Sequence, residues 1–489
     1  MSLGAAIHRA KGTKLGPASI THLAARLALI FLFGLLTVQA QQKPVAIVDV
    51  TVVPMDRERI LEHQTVIVQG ARITAIGALQ SVRLPSAAQQ IDGRGKFLMP
   101  GLADMHVHFV REALPETPQT SGLNTAGRRS GIPASASKDH AIENRAYALM
   151  FVANGITTVR NMWGSETIDA LAKEINSGSL AGPHIYSTGP ITDGNPPVWE
   201  SSRIVETPAQ AEEAVLSDKL KGYVAIKVYN RLSKDGYNAI VAAARRHGLP
   251  VVGHVPASVG LEEVIAARQD SIEHLDGFMH SLALDGTLTT ERLQNADFKK
   301  LPAIVQAIKA ADVWICPTVV VYDARRTDQA GLEEASFVPP DVFARYDRMY
   351  PNHAIDPRAT PQGHAMFLAI VAALHSGGAH LLLGSDTMKV GTLPGYSLRE
   401  ELENFAAAGM TPYEAIRAGT ADAAKFLHQE NEFGLVSKGL RADLILVDAN
   451  PLADVKNVSK LTGVLAGGRW FTAEDLHRKL VDLRAKYRP

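Results

Sequence analysis

The sequence predicts an α/β chain, a (β/α)8 barrel accompanied by a smaller β-rich module. Three observations carry this. The 489 residues exceed one average domain but suit a barrel plus a module. Short apolar runs recur between residues 101 and 386, most of them separated by a helix-length segment. Ionisable residues sit in or at the end of those runs, where a parallel barrel carries its chemistry.

Taken in order, residues 1–40 read as a secretory signal peptide. Arg9, Lys11, Lys14 and Arg26 make a basic start, residues 27–36 an apolar core, and Val38-Gln-Ala40 offers small residues before a cut. The apolar run is short for a membrane span, although an uncleaved anchor stays open. The expected location is secreted or periplasmic, with no stable membrane span after cleavage. Residues 44–98 alternate in the β manner, with strands around 45–53 and 64–69 and a third after Gly70. Residues 439–448 and 461–466 supply further strands near the other end.

The barrel strands lie between. The first ends near His108, and residues 111–137, rich in Ser, Pro, Gly and Thr, read as an excursion over the mouth. A helix is expected over 140–154 and strands over 155–160 and 184–187. Thr207-Pro-Ala-Gln210 and Thr411-Pro-Tyr-Glu414 have the pattern of helix starts with a capping threonine and Pro in the first turn. Strands four to six carry Lys227, His254 and His274, the seventh covers 313–318, and the eighth covers 379–383 and leads into Asp386. The long segment 322–364 reads as a lid or substrate loop.

Composition excludes some classes. Fifty basic residues balance fifty acidic ones, so no global charge points to nucleic acid or an anionic membrane. The single cysteine, Cys316, allows no intramolecular disulfide and, with no adjacent base, reads as a buried small apolar residue.

The most informative stretch is Gly101-Leu-Ala-Asp-Met-His-Val-His-Phe109. Residues i and i+2 of a strand share a face, so His106 and His108 project side by side, an arrangement that suits a metal ion. Lys227 lies within Tyr223-Val-Ala-Ile-Lys-Val-Tyr229, where a lysine is costly unless paired or neutral. Its ammonium could pair with a carboxylate while its stem lines the barrel. His254 and His274 end consecutive strands; Asp386 could be a ligand or could cap the next helix.

In that order, His106, His108, Lys227, His254, His274 and Asp386 resemble the ligand constellation of the amidohydrolase superfamily, over roughly residues 44–475. The chain most resembles its imidazolonepropionase-like and Xaa-Pro/Xaa-Arg dipeptidase (prolidase) branch. The resemblance implies a TIM barrel over 99–431, a β-sandwich built from 44–98 and 432–475, and a tail over 476–489. It implies two divalent metal ions, Zn²⁺ in the first place, with Mn²⁺, Co²⁺ or Fe²⁺ accepted by the same ligands. His106, His108 and Asp386 would hold the buried ion and His254 and His274 the more exposed one. Lys227, as a CO₂-derived carbamate, would bridge them, and Asp386 would shuttle the proton of an attacking bridging water or hydroxide.

The resemblance to the dipeptidase branch implies that Tyr229 contacts a substrate carboxylate, a core tyrosine being the alternative, and Arg325 and Arg326 could bind a carboxylate from the loop or be simply solvated. The branch's Gly-Gly-His-Gly-like segment after strand three is replaced here by Gly189-Pro-Ile-Thr-Asp-Gly194, without histidine. The expected activity is hydrolysis of C–N bonds in a small molecule or short peptide, dipeptides leading. A cyclic-amide hydrolase or mononuclear deaminase is the first alternative, a non-catalytic metal-binding scaffold a remote one. No nucleic-acid partner is expected, and a homo-oligomer is left open.

Overall fold

A computed structural model describes residues 43–109, 137–283, 296–322, 332–340, 342, 360–387 and 391–486. The chain divides into Met1–Lys43 and Pro44–Pro489, and every element below lies in the second unit. In chain order the strands are β1 Val45–Val52, β2 Leu61–Gln69, β3 Arg72–Ala78, β4 Gln89–Asp92, β5 Phe97–Pro100, β6 Leu102–Val107, β7 Ile156–Asn161, β8 His184–Ser187 and β9 Ile191–Asp193. They continue with β10 Arg203–Ile204, β11 Ile226–Val228, β12 Val251–Gly253, β13 Ser271–Glu273, β14 Trp314–Cys316, β15 His380–Leu381, β16 Leu444–Val447, β17 Leu461–Ala466 and β18 Arg469–Thr472.

The two ends of the chain meet in one eight-stranded sheet, ordered β18-β17-β16-β5-β1-β2-β3 with β4 beside β1. The seam is β5 against β16, antiparallel, with Leu98 opposite Leu446. The other strands are parallel and of TIM-barrel type. One sheet runs β10-β9-β11-β12-β13-β14-β15 and the other β6-β7-β8. Backbone bonds link them on two sides: Val224 N–H, just before β11, to Ser187 O of β8 at 2.9 Å, and Met105 N–H of β6 to Leu383 O, just after β15, at 2.9 Å. Helices fill the connections, among them Pro208–Leu220, Lys234–His247, Leu301–Ala311, Pro361–Ser376 and Tyr396–Ala407.

Period-two alternation sorts the strand residues. Ile226, Val228, Ile272 and Ile315 belong to the large apolar core shared with the helices. Lys227, Glu273 and Cys316, one position away, take the opposite face and are equally buried. Helix starts follow local chemistry. Thr207 and Thr411 both form reciprocal capping boxes with Gln210 and Glu414, each followed by Pro. Gly253 has φ 134° just before His254, and a side chain there would strike the Val228 carbonyl, so only glycine lets β12 approach β11 this closely.

Some boundaries differ from expectation. The seventh strand stops at Cys316 because the chain then turns: Thr318 has φ 49° and Val319–Tyr322 form a 3₁₀ turn. The eighth is only two residues long as a strand. The segment 189–194 contains a strand, β9, beside β11. The expected tail from residue 476 is instead helical: Ala473–Arg484 is N-capped by Thr472 and buries Leu476 and Leu480. The expected signal, the 111–136 excursion and most of the 322–364 loop lie outside the described residues.

Candidate active site

The mouth of the parallel strands gathers the six sequence candidates. His106 is fully buried. Its Nδ1 lies 2.7 Å from Glu273 Oε2. A carboxylate accepts, so Nδ1 carries the proton and Nε2 presents its lone pair. Glu273 is itself held. Arg160 donates to its Oε1 at 2.7 Å and Ser271 Oγ at 2.5 Å. Arg160 also donates to the Met105 carbonyl at 2.7 Å, tying this ion pair to the strand that carries His106. Buried charges persist only when paired and hydrogen-bonded, and this set meets that condition.

Asp386 faces the same point. Its Oδ1 is 3.5 Å from His106 Nε2 and 3.3 Å from His108 Nε2, and its Oδ2 is 3.9 Å from His274 Nε2. Burial alone would raise the Asp386 carboxyl, but His274 and a hydrogen bond from His108 outweigh it and hold the group well below the usual carboxylate range. Asp104 fixes the approach of the two strands, accepting from the backbone N–H of His106 at 3.2 Å and of Ser385 at 3.0 Å. Burial pushes the Asp104 carboxyl up to about 7.

Lys227 lies beneath, fully buried, with Nζ 3.5 Å from His106 Nε2. Burial lowers its ammonium to about 8, against the opposing pull of Glu273 and Asp386. His254 and His274 stand beside it, their rings 4.8 Å apart, with the His106 ring 4.6 Å from that of His274. His254 Nδ1 meets Asn230 Oδ1 at 2.6 Å, and His274 Nδ1 meets the Thr318 hydroxyl at 2.7 Å. Burial, then the Lys227 charge, keeps His106 and His254 neutral, the form that ligates. His274, Thr318 and Asp386 all have left-handed backbone, φ 65°, 49° and 51°. For a β-branched threonine this is a strained conformation of the kind that clusters at functional sites.

The donor set fits a divalent cation. One donor atom each from His106, His108 and Asp386 lie within 4.8 Å of one another. Ligands at roughly 2.1 Å around a tetrahedral ion stand about 3.4 Å apart, close to the 3.3 and 3.5 Å measured here. His106, Glu273 and Cys316 form a second close triple. Glu273 is already engaged by Arg160, Ser271 and His106, and burial pushes the Cys316 thiol far up, so this triple is a poor ligand set.

Tyr229, on the same face as Lys227 and nearer the mouth, packs its ring 4.1 Å from that of His254, and its hydroxyl accepts from Trp199 Nε1 at 3.0 Å. Arg325 and Arg326 lie outside the described residues. Among the described residues the next helix begins at Tyr396 with Gly395 at its N-cap, so Asp386 does not cap that helix. Reading the sequence missed Arg160 and Glu273, although both are charges inside apolar strands, the signal that singled out Lys227. It also missed Asn230 and Thr318, for which no local signal exists.

The sequence pattern of the amidohydrolase family matches residues 97–471. The chain therefore belongs to the amidohydrolase family, generally metal-dependent hydrolases acting on carbon–nitrogen bonds. An ochratoxinase of Aspergillus niger is 24% identical over 422 residues, 76% of this chain and 75% of that protein. An imidazolonepropionase of Aeromonas hydrophila is 23% identical over 433 residues, 83% of this chain and 89% of that one. Among solved structures, a Xaa-Pro dipeptidase with bound methionine superposes with a TM-score of 0.62 at 21% identity, covering 88% of this chain and all of the other. At that identity the likeness shows the fold. Among the described residues no helix is long and apolar enough to cross a membrane.

Proposed function

We propose that this protein hydrolyses amide bonds of small peptide-like substrates, in the manner of a dipeptidase, at a centre for two divalent metal ions. The observation that carries this is Lys227. It is fully buried, 3.5 Å from His106 Nε2, and has an ammonium lowered to about 8, so a useful fraction is the neutral amine that reacts with CO₂. Carboxylated at Nζ with loss of a proton, Lys227 would add an anion among four histidines and would be the ligand shared by the two ions, Zn²⁺ being our first choice. His106, His108 and Asp386 would hold one ion, His254 and His274 the other. Ions so held would supply Lewis-acid polarisation of the scissile carbonyl and acidify water.

The chain's own groups do the rest. Glu273 and Asn230 keep the His106 and His254 rings aimed into the site. Asp386, ionised at neutral pH, takes the proton of the attacking water and returns it to the departing nitrogen. Tyr229, in contact with His254 at the mouth, is placed to orient the substrate. The domain division is part of the same reading, with a closed (β/α)8 barrel bearing the chemistry and a sandwich from both chain ends bearing none. So is export directed by residues 1–40, which N-terminal sequencing of the mature protein checks.

The test is metal content by elemental analysis on protein purified without chelator, followed by a dipeptide library. Two ions per chain, falling sharply in Lys227→Ala, support the bridged centre. One ion, unchanged by that substitution, overturns it and turns attention to cyclic-amide and deaminase substrates.

A further inference from the structure

Beside the ligand cluster stands an arc of aromatic rings whose two indoles, Trp163 and Trp199, the chemistry above does not use. It starts at His108, whose ring meets Trp163 edge-on at 6.4 Å between centroids. Trp163 lies 5.9 Å from Trp199. Trp199 donates its indole N–H to the Tyr229 hydroxyl at 3.0 Å, and the Tyr229 ring packs 4.1 Å from His254. The arc thus runs from one group of candidate ligands to the other.

Trp163 and Trp199 are only half-buried, and among the described residues neither is part of the apolar core. Each follows the carboxyl end of a parallel strand, β7 and β9, the edge where such sheets place their sites. Trp199 is also held in place by charge. The buried Asp193 carboxylate accepts from the backbone N–H of Gly194 at 3.0 Å, Val198 at 2.9 Å and Arg231 at 2.6 Å. Arg231 donates back to the Pro196 carbonyl at 3.1 Å. A large apolar ring fixed at the mouth by a buried carboxylate is a pre-organised contact surface.

We infer that Trp163 and Trp199 form a specificity subsite that takes a planar ring of the substrate beside the scissile amide. A ring sandwiched between two others needs roughly 7 Å between their planes, at 3.5 Å per contact. The two indoles, 5.9 Å apart and tilted by 53°, are too close for that, so the substrate ring lies against the wall they make together. This assigns a substrate class to the proposed hydrolase, amides bearing an aromatic side group, and it rests on that reading.

The test compares kcat/KM for Phe-Ala, Ala-Phe and Ala-Ala in the full metal-loaded protein and in Trp163→Ala, Trp199→Ala and Trp199→Phe. The wild type should favour one ring-bearing dipeptide. Each alanine variant should lower the ratio of kcat/KM for that dipeptide to kcat/KM for Ala-Ala about three- to tenfold. Trp199→Phe, which keeps a ring but loses the indole N–H, should retain the preference. Equal losses on all three dipeptides, or no ring preference in the wild type, overturn the subsite. Calorimetric binding of N-acetylphenylalanine against N-acetylalanine separates this from the dipeptidase reading. If none of these dipeptides is cleaved, the dipeptidase reading falls. Ring-selective binding that Trp163→Ala abolishes then still upholds the subsite, and equal binding of the two ligands overturns it.

Discussion

His106 and His254 both end strands and both face the mouth, yet their supports differ in kind. His106 is sealed inside, its Nδ1 on the Glu273 carboxylate, which is neutralised by Arg160. His254 is half-buried, its Nδ1 on the neutral Asn230 side chain, which is exposed. In a low-dielectric interior a carboxylate orients an imidazole firmly and makes it a better donor, but only if its own charge is matched. At the mouth, water screens the group and an amide suffices. The inner half of the centre is therefore part of the folding core, whereas the outer half can be changed at little structural cost.

Four measurements sharpen or break this contrast, the largest effect first. Glu273→Ala strands the buried Arg160 charge and should cost about 3–5 kcal/mol of stability in urea unfolding of metal-stripped protein. An unchanged unfolding midpoint would mean that the inner support is dispensable. Next is Lys227 in the absence of metal and CO₂. Its folded-state pKa, lowered by burial from 10.5 to about 8, lies below its unfolded value. The unfolded chain then holds the proton more tightly, so the native state is penalised below pH 8 and recovers as the pH rises towards 10.5. Lys227→Met should therefore be more stable than wild type at pH 7 by about 3 kcal/mol, with the gap closing above pH 10. A gap that does not change with pH would rule out this origin.

A smaller change is expected at the outer half. Asn230→Ala should weaken binding of the ion proposed at His254 and His274 about 10- to 100-fold while stability of the stripped protein hardly moves. Competition with a metal-sensitive dye reads this, and an equal loss at both ions would erase the distinction between the halves. The smallest is a control far from the centre. Thr411→Ala removes one capping box and should cost about 1 kcal/mol with no loss of metal.

Much of the site is legible in the sequence because its signals are local. His106 and His108 share a face by strand parity, and Lys227 is conspicuous as a charge in an apolar run. The capping boxes at Thr207 and Thr411 need only four residues each, and both are present. Glu273 and Arg160 carry the same signal as Lys227, but their meaning depends on each other across 113 positions. Asn230 and Thr318 are ordinary turn residues until His254 and His274 are placed beside them. The segment 189–194 departs from the pattern of the dipeptidase branch, and only in three dimensions does it become the strand and carboxylate that hold Trp199.

By itself the sequence determined the alternation of strands and helices and the polar residues near the strand ends, because periodicity and burial cost act over a few neighbouring residues, while the family was legible only through the resemblance of the ordered set from His106 to Asp386. Only the tertiary structure decided which nitrogen of each histidine faces the site, which carboxylate serves as support and which as candidate ligand, and where the aromatic wall stands. Those are set by partners from other strands, and a hydrogen bond or ring contact between distant segments has no signature in either segment alone.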